Sequence, residues 1–158
     1  MDVYFLFEWL DASLLATISK AYGGVFAMVQ TVHLGSIALL GGMVLVSDLR
    51  LLNLVLTGVP VSEVMASTRR WITVALVLVT LSGVYQASAV AIKLYYNTSF
   101  WAKMAGFFLG IVFIYWVKLP LVRQGTDVLN PWTVRLLAIT SLVIWFSVAA
   151  TGRWIGFS

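Results

Sequence analysis

Apolar residues run almost unbroken through four stretches, 24–46, 71–92, 101–117 and 133–151, separated by short segments that hold most of the charge. A helix rises about 1.5 Å per residue and a bilayer core is about 30 Å thick, so each stretch predicts one membrane-spanning helix. Backbone groups in hydrocarbon must be bonded within the helix, which makes a bundle the expected form. The fold class is therefore all-α integral membrane: a single domain with four transmembrane helices in an up-down bundle. Residues 1–21 follow a different pattern. At helical spacing Glu8, Asp11 and Ser19 share one face, while Phe7, Leu10, Leu14 and Ile18 gather on the other, which predicts an interfacial amphipathic helix. Gly23 and Gly24 turn it into the first span.

The loops carry their own signals. Segment 47–70 holds Pro60, and Ser62 with Glu63 is suited to cap and open a short helix there. Arg69, Arg70 and Trp71 then form a basic and aromatic collar before the second span. Asn97 or Ser99 can cap the third span, Lys118, Pro120 and Arg123 close it, and Asn130 with Pro131 opens the fourth. Around the span ends Arg50, Arg69, Arg70, Lys118, Arg123 and Arg135 lie on one side, against Lys20, Lys93, Lys103 and Arg153 on the other. The positive-inside rule then places segments 47–70 and 118–132 in the cytoplasm and both termini on the periplasmic side.

Composition narrows the chemistry. The chain is 61% hydrophobic with 10% charged residues, and its net charge of +4 is scattered rather than gathered, which suits anionic membrane lipids and not nucleic acid. With no cysteine, disulfides, thiolate metal sites and covalent haem attachment are excluded. The acids Asp2, Glu8 and Asp11 stand where a secretory signal would be basic, so the N-terminus reads as mature sequence. No phosphate-binding glycine loop, no Ser/His/Asp set and no acid deep in a span is visible, so catalysis within one chain is not expected.

The one polar residue that stands out is His33, the only histidine, nine residues into the first span and about 14 Å from its outer end. Ionisable side chains at that depth usually face protein, cofactor or water. Gln30, Ser36, Ile37 and Gly41 share its face. A haem b or a quinone could lie there with the imidazole as axial ligand or hydrogen-bond donor, Ser36 and Gly41 leaving room, and Lys103 and Arg153 within reach of haem propionates. The competing reading is a packing histidine bonded to the second span, where Ser82 and Gln86 bracket its depth. One histidine supplies one axial ligand. A second His33 across a homodimer, Met104, or an open position would complete the iron. Asp48 with Arg50, Arg69 and Arg70 forms a second charged group, suited to an ion pair, a lipid phosphate or simple depth-fixing.

His33-Leu34-Gly35 followed by Gly41-Gly42 and Ser47-Asp48-Leu49-Arg50, with Tyr96-Asn97, Phe100 and Lys103 opening the third span, resembles an uncharacterised family of bacterial four-helix membrane proteins over residues 25 to 120. The spacing from His33 to the Gly41-Gly42 pair is also similar to copper-resistance D type proteins and to four-helix cytochrome b anchors. The resemblance implies the bacterial inner membrane and a role near haem, copper or respiratory electron transfer. A further histidine in the third span belongs to that pattern, yet here the region reads Phe113-Ile114-Tyr115-Trp116-Val117-Lys118. The expectation is a haem b protein of electron transfer ligated through His33, as a homodimer or within a membrane redox complex. The alternatives are a cofactor-free accessory subunit and a copper or small-solute protein.

Overall fold

Four helical rods long and apolar enough to cross a membrane make up most of the molecule: Gly23–Leu51, Val61–Ala89, Thr98–Arg123 and Pro131–Phe157. The structure is a computed structural model and describes residues 3–125 and 128–157; Asp2 lies outside them. In chain order the α-helices are α1 (Tyr4–Asp11), α2 (Leu14–Ala21), α3 (Gly23–Leu51), α4 (Val61–Ala89), α5 (Ala91–Tyr95), α6 (Thr98–Val112), α7 (Leu119–Arg123) and α8 (Pro131–Trp154). A π-helical turn, Phe113–Lys118, joins α6 to α7, and a 3-10 turn, Ile155–Phe157, ends the described chain. Helix α3 packs against α4 and α8, α6 packs against α8, and the third rod returns to α4 through α7 and the Thr73–Tyr115 bond, so the four rods close a ring.

The caps follow from side chains that satisfy first-turn amides. Asn97 accepts a bond from Phe100 N at 3.0 Å, and Asn130 accepts one from Trp132 N at 2.9 Å with Pro131 at the first helical position. Ser62 does not cap. Pro60, held at φ −54° and ψ 138°, stands at the boundary instead, and α4 runs without interruption from Val61 through the second span. The connection after α3 is correspondingly short. Arg50 holds it by donating from Nε to Val59 O and from Nη1 to Asn53 Oδ1, both at 3.0 Å. Likewise the third rod continues to Arg123, beyond the expected end of the span.

The N-terminal segment is two helices rather than one. Ser13, extended at ψ 160°, ends the first and caps the second through a bond from Ala16 N. The break rotates the faces. Phe7 packs edge-on against Tyr95 and Phe100, Leu14 becomes exposed, and Ser19 turns inward to meet Ser88 at 3.4 Å. Asp11 and Lys20 bridge the break with an ion pair at 2.8 Å.

The core is a layer of Leu40, Val44, Ile72, Ala75, Leu76, Ile114, Trp145 and Val148 at mid-bundle, with a second cluster of Leu51, Met65, Val122, Val134 and Ala138 at one end. Large apolar side chains such as Leu81, Phe108 and Phe146 are about two-thirds exposed, as suits a surface solvated by lipid rather than water. Hydroxyls within the rods donate to carbonyls of their own helix, as Ser36 does to Val32 O and Thr80 to Leu76 O, both at 2.7 Å. Such bonds keep these hydroxyls paired within their own helices.

Candidate functional site

His33 is half-buried on α3 and faces α4, where Ser82 Oγ lies 2.8 Å from its Nδ1. Ser82 itself donates to Leu78 O at 2.5 Å. A hydroxyl has one proton, so while Ser82 donates to Leu78 O its oxygen receives a bond from His33 Nδ1, and the Val79 carbonyl is a further acceptor beside the ring. The remaining nitrogen, Nε2, is then left with its lone pair, the form needed by a metal ligand or a proton acceptor. Gly83 lies against the same ring: a Cβ there would sit 3.3 Å from His33 Cε1. A glycine at this position gives the imidazole its room.

Lys103 of α6 acts on His33 electrostatically, and its stem runs beside Gly152 of α8, where a Cβ would lie 3.4 Å from Cε. The fold thus sets His33 against Ser82 and Gly83 between two rods, with Lys103 on the third rod, beside Gly152 of α8. Ser36, one turn on from His33, is buried and bonded to its own helix. Gly41 opens onto free space, with nothing within 4 Å of a Cβ built on it. Arg153 places its guanidinium 4.5 Å from the Phe157 ring centroid. Gln86, the other side chain at the depth of His33, bonds back to Ser82 O at 3.4 Å.

A second polar centre lies deeper toward the other end. Asp48 of α3 and Lys118 of the π turn form an ion pair that is almost wholly buried, their side chains 0% and 2% exposed. Lys118 also donates to Ser47 Oγ at 2.8 Å, and Ser141 of α8 adjoins the carboxylate. Asp48 Oδ2 and Ser141 Oγ are buried and without a hydrogen-bond partner, which makes Ser141 the hydroxyl placed to complete the carboxylate's shell. The pair ties α3 to the third rod at a point where no other described charge reaches.

The π turn is what aims Lys118. Leu119 N bonds five residues back to Ile114 O instead of four, and Pro120, which lacks an N–H, follows at the start of α7. The wider turn swings the lysine toward α3. Sequence reasoning grouped Asp48 with Arg50, Arg69 and Arg70 and put Lys118 at the end of a span; the structure parts them. A signal was present: Lys118 is followed by Leu119, Pro120, Leu121 and Val122, so the apolar run continues past it to Arg123.

Among the described residues, no group of three His, Cys, Asp or Glu comes together to hold a metal ion. No curated protein and no solved structure matches the chain. The likeness to copper-resistance D type proteins and cytochrome b anchors therefore finds no counterpart in these comparisons. One family model does match, over residues 6–158, and its description is a family of unknown function. With four spanning helices and this match along nearly its whole length, the chain belongs to the family of unknown function DUF6644.

Proposed function

We propose that this chain is a b-type haem protein of the bacterial inner membrane, carrying electrons itself or serving a redox complex, with His33 Nε2 as an axial ligand of the iron. The observation that carries the reading is the Ser82 bond, which fixes the proton on Nδ1 and leaves Nε2 with its lone pair. Haem, when bound, supplies one-electron exchange between ferric and ferrous iron. The chain's own part is to orient the imidazole through Ser82 and Gly83 and to offer Lys103 as a cation for a propionate. Of the five residues that the sequence suggested, His33 and Lys103 support the reading directly.

The second ligand falls to His33 of another copy, to Met104, or to an open position. For orientation, Lys118 and Lys103 both lie within the bundle rather than in loops. Taking them from the tally leaves Arg50, Arg69, Arg70, Arg123 and Arg135 against Lys20, Lys93 and Arg153, which favours periplasmic termini.

A cofactor-free accessory subunit is the second reading, favoured by the same bond, since a histidine tied to Ser82 also satisfies the rule that buried polar groups are paired. Absorption spectra of purified protein with and without dithionite separate the two. Reduced protein is expected to show split α and β bands that vanish in His33→Ala. Ser82→Ala should keep the bands but weaken haem retention about 10- to 100-fold, as loss of a ligand's supporting bond does. A colourless, folded wild type, or a His33→Ala variant with unchanged bands, overturns the haem reading.

A further inference from the structure

At the end of the bundle that holds α7, a cleft of about 480 Å³ opens between α4 and α7. One part of its wall is apolar, formed by Met65, Leu119 and Val122; the other is formed by Ser62, Arg69 and Arg123. The ion pairs among the described residues are Asp11 with Lys20 and Asp48 with Lys118, so neither arginine has a carboxylate partner there. Two like charges brought to one cleft repel unless an anion joins them.

The level of the cleft in the bilayer identifies the anion. Trp71 lies two residues beyond Arg69 on α4, Trp132 opens α8 at the same end of the bundle, and both are at least half exposed. Exposed tryptophans with adjacent arginines mark the headgroup layer. A ligand seated there with one charged end and one apolar flank has the form of a phospholipid.

We propose that this cleft binds the phosphodiester headgroup of an anionic membrane phospholipid, held by Arg69 and Arg123 with Ser62 as a further donor. The glycerol and upper acyl chain lie along Met65, Leu119 and Val122. Guanidinium suits the role because it offers paired donors to phosphate oxygens. A zwitterionic lipid presents the same phosphate but brings its own cation into a cleft that already holds two, which sets the preference. The site is separate from His33 and stands whether or not haem binds.

Native mass spectrometry of the full-length protein in detergent, with phosphatidylglycerol or phosphatidylcholine added, tests this. Phosphatidylglycerol is expected to stay bound under activation that strips phosphatidylcholine. Arg69→Gln/Arg123→Gln should weaken its binding about tenfold or more, since each basic group near an anionic surface contributes about 1 kcal/mol. Ala66→Phe fills the cleft while keeping both charges, and should weaken binding as well; it serves if the double variant does not fold. Arg135→Gln, whose guanidinium stacks over Trp132 outside the cleft, should leave binding unchanged. Equal retention of the two lipids, binding unaffected in the double and filled-cleft variants, or an equal loss in Arg135→Gln overturns the proposal. Displacement of the lipid by inorganic phosphate alone would overturn it in favour of a free-anion site.

Discussion

Lys118→Met is expected to destabilise the bundle by about 3–5 kcal/mol, the usual consequence of removing one partner of a buried ion pair. Methionine nearly matches the length of the lysine stem, so the loss comes from charge and not from a cavity. Asp48 would then keep a carboxylate that is 0% exposed, inside the bundle, with no cation to balance it. Restoring neutrality should recover most of the loss: Asp48→Leu combined with Lys118→Met exchanges a charged pair for an apolar one of comparable volume, an exchange that is often neutral or favourable. Unfolding in detergent followed by tryptophan fluorescence measures both. A single variant as stable as wild type, or a double variant worse than the single, would show that the two charges do not depend on one another.

The second large effect is expected at the contact between α6 and α8. A Cβ on Gly110 would lie 2.9 Å from Trp145 Cζ2, 3.1 Å from Cε2 and 3.3 Å from Ile144 Cγ2. Trp145 cannot easily retreat, being part of the mid-bundle core and set edge-on to Phe107 with centroids 6.0 Å apart. Gly110→Ala should therefore destabilise by about 1–3 kcal/mol through overpacking. Intrinsic helix propensity pulls the other way by about 1 kcal/mol, so the steric effect must exceed it to appear. Gly35→Ala and Gly41→Ala supply the comparison: both positions open onto free space, and both substitutions should be neutral or slightly stabilising. The same unfolding measurement orders the three, and a Gly110→Ala variant no weaker than Gly35→Ala would mean that the helices are not pressed together there.

The parts of this fold that were legible in the sequence are those governed by local chemistry. Runs of apolar residues mark the four rods, Asn97 and Asn130 with Pro131 mark helix starts, and helical depth narrowed the partner of His33 to Ser82 or Gln86, of which Ser82 makes the bond. What sequence could not supply was azimuth, the direction in which a side chain leaves its helix. Lys118 reads as an interfacial cation until the π turn directs it to Asp48. Ser19 reads as part of a polar face until the break at Ser13 turns it toward Ser88. Arg69 and Arg123, far apart in the chain, became neighbours only when α4 and α7 were laid side by side. Each case depends on a small local irregularity that periodicity averages away.

The turn from Phe113 to Lys118 has one more consequence. A π turn holds one residue more than the α-helical ladder around it needs, so it behaves as an insertion absorbed without a loop. Delete one residue between Ile114 and Val117 and the third rod can close into an ordinary α-helix with the residues beyond it still facing as they do now; keep the full count but wind it as a regular α-helix, and everything beyond turns by about 100° relative to α6. In the second case the sequence and the span would be unchanged, yet the ammonium of Lys118 would point away from Asp48. Residue count and winding within this rod thus together set a rotational phase, and the ion pair is the place where that phase is read.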